Sequence, residues 1–189
     1  QEGVEAFENA IKLGFTATPE YSDKKNRKVS DMLETEIHRM ELKEAIEEGM
    51  LCSARSIHAH TEVDLSEVKL KDDGEYSAKA LAKAGNVEGR NVAAVNLYKK
   101  AFEGELAVAY CVGVKHAKDV AKKFRENDVP AEAIHGKMSD AEQEEILKKF
   151  NSGEIKILCN ADLLIAGFDE PRASVALNLR PTKSKVIAE

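Results

Sequence analysis

Three stretches of this chain of 189 residues set glycine and polar residues directly behind an apolar run. They are Cys111-Val-Gly-Val-Lys-His116, His135-Gly-Lys-Met-Ser139 and Asn160-Ala-Asp-Leu-Leu-Ile-Ala-Gly-Phe-Asp169. Where the apolar run is a strand and the next residues open a helix, the first helical turn carries N–H groups without intrahelical partners and a partial positive charge. A phosphate suits such an end, and Gly113 and Gly136 would let backbone approach it closely. Several such ends along one sheet edge would suit a chain of phosphates, a nucleic-acid strand held without base contacts. Other candidate chemistry is thinner. Cys111 and Cys159 end apolar runs with no base placed beside them, and read as buried, inert thiols. His58 and His60 share one face of a candidate strand, but no third ligand lies at a matching spacing, so no metal site is expected. Glu142, Glu144 and Glu145 read as a solvated helix face, with Glu142 in a capping box and Glu144–Lys148 and Glu145–Lys149 as i, i+4 pairs.

The elements that must position these residues are clearest in the second half. Leu106–Cys111, Ala131–His135, Ile155–Cys159 and Ser174–Leu179 read as strands. Between them, Lys115–Asn127 reads as a helix with Ala117, Val120, Ala121 and Phe124 on one face. A second helix starts near Asp140 behind Ser139, carries Ile146, Leu147 and Phe150, and stops at Gly153. This alternation predicts an α/β fold, a mainly parallel sheet with helices on both faces, and ligands beyond the carboxyl ends of its strands. The first half is less regular. A helix over Glu5–Ile11, a strand over Lys12–Thr18, a polar linker over residues 20–30, a helix over Leu42–Glu48 closed by Gly49, a strand over Ala54–Val63, a charged loop over Lys69–Glu75, and helices over Tyr76–Ala84 and Gly89–Phe102 are the expectations there.

Composition narrows the function. Hydrophobic residues are 43% of the chain, enough for a packed core, and no apolar run reaches the ~18 residues of a membrane span. With 28 basic and 34 acidic residues the formal net charge is −6, so a nucleic-acid site must be a local patch or rely on backbone N–H groups. Aromatics are 5% with no Trp, which argues against base-stacking platforms. The densest basic run, Lys24-Lys-Asn-Arg-Lys28, is either a solvated linker or a strand-contacting loop. Arg180, ahead of Pro181, faces either ligand or solvent. Three cysteines without a CxxC clip fit a reducing compartment, and a cytoplasmic location is expected. The opening Gln1-Glu-Gly-Val4 has no signal-peptide character and no initiator Met, so an excised piece of a longer chain is expected.

Residues Ile155–Pro171 resemble motif V of superfamily 2 helicases: a hydrophobic strand, an Asp, four residues, then Gly-x-Asp, here Asp162, Gly167 and Asp169. The strand 106–111 resembles motif IV, and His135-Gly-Lys-Met-Ser139 the phosphate-contacting loop that follows it. Gly14-Phe-Thr-Ala-Thr-Pro19 resembles motif III of DEAD/DEAH-like enzymes. The resemblance implies that residues 1–19 are the tail of a first RecA-like lobe and residues 20–189 a second RecA-like lobe, truncated before motif VI. It implies coupling roles for Thr16 and Thr18, ATP contacts for Gly167 and Asp169, and nucleic-acid contacts for Val112, Gly113, His135, Gly136, Asn160, Ala161 and Asp162. It implies ATP and Mg²⁺ as cofactors of the intact parent, and a single nucleic-acid strand (DNA before RNA) and the first lobe as partners. Two departures stand out. Ala161 replaces the family's Thr ahead of the motif V Asp, removing a hydroxyl contact. The chain also contains no G-x-x-x-x-G-K-[ST] loop, no Asp-Glu box and no motif VI arginines, so it is not expected to hydrolyse nucleotide alone. The alternative is a non-catalytic RecA-like interaction or regulatory module.

Overall fold

The computed structural model describes residues 11, 13–16, 35–58, 88–161 and 170–180. They fall in two compact units, residues 11–58 in one and 88–180 in the other. In the first unit the regular element is helix α1 (Leu42–Glu47), which packs Ala45 inward and ends in a turn at Gly49. Residues 13–16 and 54–58 are exposed and irregular, so the strands expected over 12–18 and 54–63 do not form in their described parts. Apolar Leu13, Phe15 and Ile57 stand exposed there, with no ladder among the described residues to join. The linker, the lobe boundary near residue 20, and the segments 5–10, 59–63, 69–75 and 76–84 lie outside the described residues.

The second unit carries the α/β pattern. Helix α2 (Glu88–Ala101) precedes β1 (Leu106–Tyr110), α3 (Val114–Arg125), β2 (Ala131–His135), α4 (Asp140–Ser152), β3 (Ile157–Ala161) and β4 (Ala173–Asn178). The strands form one sheet in the order β2-β3-β1-β4, and every pairing is parallel. The path from β1 to β2 crosses β3 in one direction, and the path from β2 to β3 returns in the other. Connections of the same hand must then put their helices on opposite faces. They do: Ala107, Ala109, Ile157 and Cys159 pack with α2 and α3, whereas Val108, Ile134 and Leu158 pack with Phe150, Ile146 and Leu147 of α4. The expected three-layer, parallel α/β fold is therefore present.

Side-chain chemistry fixes each helix. On α2, Asn91, Ala94, Val95 and Tyr98 share the buried face, and on α3 it is His116, Ala117, Val120, Ala121 and Phe124. The Tyr98 and Phe124 rings meet edge to face, 5.6 Å between centroids, and the Tyr98 hydroxyl donates to the Glu105 carbonyl at 2.6 Å. Helix α4 ends at Gly153 with φ of 78°, a left-handed conformation that glycine adopts without cost. Strand β3 starts two residues later than the sequence pattern suggests. Ile155 is buried but lies ahead of the ladder, in the turn closed by its N–H to the Lys149 carbonyl. Since the described strands all run one way, their carboxyl ends lie along one edge.

Candidate nucleic-acid interface

The carboxyl edge is defined by register. Ile134, Asn160, Tyr110 and Asn178 are successive partners across the sheet, and His135 pairs with Ala161 one residue further on. The ladder continues through Cys111, whose N–H donates to the Asn160 carbonyl at 2.9 Å, and Leu179, whose N–H donates to the Tyr110 carbonyl at 3.0 Å. Asn160 and Ala161 are both buried strand residues, so neither side chain stands on the loop side of the edge. A Thr at position 161 would put its hydroxyl beside His135; Ala161 supplies none. Asp162, Gly167 and Asp169, and likewise Thr18, lie outside the described residues. Thr16 is exposed in the first unit.

The two described strand-to-helix junctions differ in charge. At the start of α4, Ser139 and Glu142 complete a reciprocal capping box: the Glu142 carboxylate accepts from the Ser139 N–H at 2.8 Å and from its hydroxyl at 2.7 Å. Those bonds hold the Glu142 carboxyl below its usual range. With Asp140 also in the first turn, this helix start already holds its own anions. It is not the open phosphate site expected from its sequence. The capping box instead stiffens the loop, together with the Met138 N–H bond to the His135 carbonyl (3.1 Å) and the Gln143 amide bond to the Met138 carbonyl (3.0 Å). Gly136 and Lys137 are exposed on it, whereas His135 is buried with its Nδ1 unpartnered among the described residues.

Among the described residues, the start of α3 is open. Its N-cap is Gly113, which has no capping side chain, and no acidic residue lies in the first turn. Gly113 is half-buried and extended, and a methyl group there would meet no atom within 4 Å among the described residues. Glycine is thus not demanded by the fold at this position; it leaves the amides of α3 uncovered. Val112 is buried, and its N–H donates to Nδ1 of His116 at 3.2 Å. That N–H is spent inside the protein, so what this junction can offer a ligand is Gly113 and the turn after it.

His116 and Asn91 are functional candidates that pattern reading passed over. An N–H can only donate, so Nδ1 of His116 accepts; the ring proton then sits on Nε2, which donates to Oδ1 of Asn91 at 3.1 Å. Burial pushes the His116 pKa down to about 4, with the Arg90 guanidinium adding to the effect and Asp119 opposing it. The ring is therefore neutral at neutral pH. Each residue had a signal: a polar side chain within an apolar helix stripe, Asn91 ahead of Ala94, Val95 and Tyr98, and His116 ahead of Val120 and Phe124. Arg90 places its guanidinium close enough to act on the His116 ring, and its Nη1 is buried without a partner among the described residues.

Residues 90–188 match the family described as helicase conserved C-terminal domain. The chain belongs to that family. It is a C-terminal, RecA-like helicase domain, and the match spans the motif IV and motif V stretches but not the motif III stretch at residues 14–19. The helicase domain is also similar to a "51.5 kDa protein" of Lactococcus phage (isolate 7-9), 30% identical over 99% of this chain and 40% of the relative. It is similar to the "Putative ATP-dependent helicase IRC3" of Saccharomyces cerevisiae, 29% identical over 92% of this chain and 25% of the relative. Among solved structures, the Pyrococcus furiosus Hef helicase domain superposes with a TM-score of 0.44 at 17% identity, over 56% of this chain and 22% of that one. The chain thus spans two fifths or less of these relatives.

The remaining candidates are structural. Cys111 and Cys159 are buried, and burial together with the neighbouring Cys111 thiol pushes the Cys159 thiol up, away from thiolate chemistry. Lys148–Glu144 (2.8 Å) and Lys149–Glu145 (2.7 Å) form the expected ion pairs on the solvent face of α4. Arg180 follows β4, its N–H donating to Oδ1 of Asn178 at 3.2 Å. Cys52 and His58 are exposed, and His60 lies outside the described residues.

Proposed function

We propose that this chain is the strand-gripping second lobe of an ATP-dependent superfamily 2 helicase or translocase, acting on a single nucleic-acid strand, with DNA preferred over RNA. The observation that carries the reading is the uncapped start of α3 at the carboxyl edge of the sheet, in a chain of the helicase C-terminal family. Free amides there can hold one phosphate. Gly136 and Lys137, exposed on the stiffened neighbouring loop, can meet another. Contacts of this kind position a strand without reading its sequence. The DNA preference rests on the DEAH-like character of Gly167-Phe-Asp-Glu-Pro171 and Pro181-Thr-Lys-Ser184.

In the parent, ATP with Mg²⁺ would supply the energy that closes two lobes on the strand. Gly167 and Asp169 are the residues of this chain assigned to the nucleotide, and Thr16 and Thr18 to coupling. The sequence contains no G-x-x-x-x-G-K-[ST] loop, so hydrolysis is proposed for the parent and not for this chain alone.

The test is fluorescence anisotropy of labelled single-stranded DNA, duplex DNA and single-stranded RNA, titrated at several salt concentrations. Sequence-independent binding is expected, with a salt slope of about two to four phosphates at ~0.7 each. Gly113→Asp sharpens it. A carboxylate at the N-cap caps α3 as Glu142 and Ser139 cap α4, so stability holds or rises by a few tenths of a kcal/mol while binding falls. Undiminished binding by a folded Gly113→Asp chain would refute the site. Tighter binding to RNA would overturn the DNA preference. No binding at low salt would favour the interaction-module reading, which Ala161 supports.

A further inference from the structure

The Val112 N–H, the His116 ring and the Asn91 amide form a buried chain of hydrogen bonds from the end of β1 to α2. Its links are 3.2 Å and 3.1 Å long, and all three residues are at most 4% exposed. Each link is directional. Val112 donates, His116 accepts on one nitrogen and donates on the other, and Asn91 accepts. The ring therefore fits only one way round, and it sets the backbone immediately before Gly113. His116 itself lies in the first turn of α3, so one side chain joins the turn, the helix start and the neighbouring helix.

We propose that His116 and Asn91 are positioning residues for the strand grip: the Asn91–His116–Val112 chain holds the β1–α3 turn so that Gly113 and the open amides of α3 face a phosphate of the bound strand. This rests on the nucleic-acid reading given above. A phosphate bound at these amides would be held by groups that must point together. An amide turn freed to rotate would keep the helix but lose the convergence. The chain also ties the grip to α2, so a displacement of α2 against α3 would act on the turn through the Asn91 link.

Two polar replacements separate positioning from packing. His116→Asn keeps an oxygen where Nδ1 accepts from Val112 and gives up the Asn91 bond. His116→Gln reaches the Nε2 position, keeps the Asn91 bond and releases the Val112 N–H. Both remove the ring, so loss of packing is common to the two. The measurements are anisotropy with a labelled single-stranded oligonucleotide, thermal melting, and hydrogen exchange of the Val112 amide, all on the full chain. His116→Gln is expected to exchange Val112 faster and to bind about 10-fold more weakly at a temperature where it is fully folded, the scale of one buried hydrogen bond. His116→Asn is expected to protect Val112 and, having lost only the Asn91 link, to bind about 3-fold more weakly than the unaltered chain, between it and His116→Gln. Equal affinity of the two variants, with Val112 exposed in one and protected in the other, would overturn the proposal. If His116→Gln does not fold, Asn91→Leu takes its place. It is expected to weaken binding through a loosened ring, and unchanged binding with a loosened ring would overturn the proposal equally. Failure of the unaltered chain to bind would instead refute the nucleic-acid reading on which the proposal rests.

Discussion

The burial of His116 makes the stability of this domain depend on pH in a window set by one residue. In the unfolded chain the imidazole takes up its proton near 6.5; in the folded chain burial beside Arg90 holds it to about 4. As pH falls below 6.5 the unfolded state is protonated first and is stabilised relative to the fold. The stability contributed by neutral His116 is thus complete above 6.5, is lost progressively as pH falls toward 4, and changes no further below that. The whole displacement is worth about 3 kcal/mol, and the part between pH 7.5 and pH 5 about 2 kcal/mol. Burial of the ring bears most on the value, and two groups also act on it: Arg90 from α2, which opposes protonation, and Asp119 on α3, which favours it.

Urea unfolding followed by helical circular dichroism, repeated from pH 5 to pH 7.5, measures this. Other ionisable groups also contribute to the pH dependence, so the quantity to read is the difference between the unaltered chain and His116→Asn. The variant is less stable at pH 7.5, and its deficit should shrink by about 2 kcal/mol at pH 5, because only the unaltered chain pays for a buried neutral ring. The imidazole C–H resonance of His116 should keep its neutral position to below pH 5. A deficit independent of pH, or a resonance that titrates near 6.5, would refute the buried, singly oriented ring and the hydrogen-bond chain built on it.

Other consequences are more local. Ser139→Ala removes the cap of α4 and should cost about 1 kcal/mol in the same urea assay, with no loss of oligonucleotide affinity beyond what loop loosening brings. Phe124→Ala empties the site between α2 and the sheet where the Tyr98 ring meets it edge-on, and should cost about 3–5 kcal/mol. Addition of single-stranded DNA and Mg²⁺ with ATP should release no phosphate from this chain alone, measured by a coupled phosphate assay; DNA-stimulated turnover would show that it carries a nucleotide site of its own.

The sequence made the sheet legible because each strand is a short apolar run bounded by turn residues, and because α3 and α4 show clean apolar stripes. It also showed the capping box, since Ser139 and Glu142 act through three residues of local chain. What it did not show was the consequence. The expectation of an open anion site at each helix start ignored that the Glu142 carboxylate takes up the Ser139 N–H while the Ser139 hydroxyl accepts from the Glu142 N–H, with acidic Asp140 and Glu142 already in the first turn of α4. The strands expected over residues 12–18 and 54–63 failed in their described parts for a related reason. Alternation alone does not make a strand without a neighbouring ladder, and pairing over long sequence distances is invisible locally. His116 and Asn91 were hidden because their partnership joins positions 25 residues apart. A polar residue in an apolar stripe says that a partner exists, not which one.

The contrast between the two described helix starts also bears on how a chain of net charge −6 could bind a polyanion, as proposed above. A diffuse field of that sign repels nucleic acid, so the attraction must be short-range and local. Fixed amides meet this need, because their partial charge acts within the first turn of the helix and brings no counterion cloud. Of the two described helix starts, one neutralises itself and one does not, so under the proposed grip the open amides are those of the β1–α3 turn, with Gly136 and Lys137 beside them. A grip limited to few phosphates is weak and readily released. Under the proposed function, that would suit a lobe that releases its strand at every cycle, whereas a basic surface holding many phosphates would bind tightly and stall.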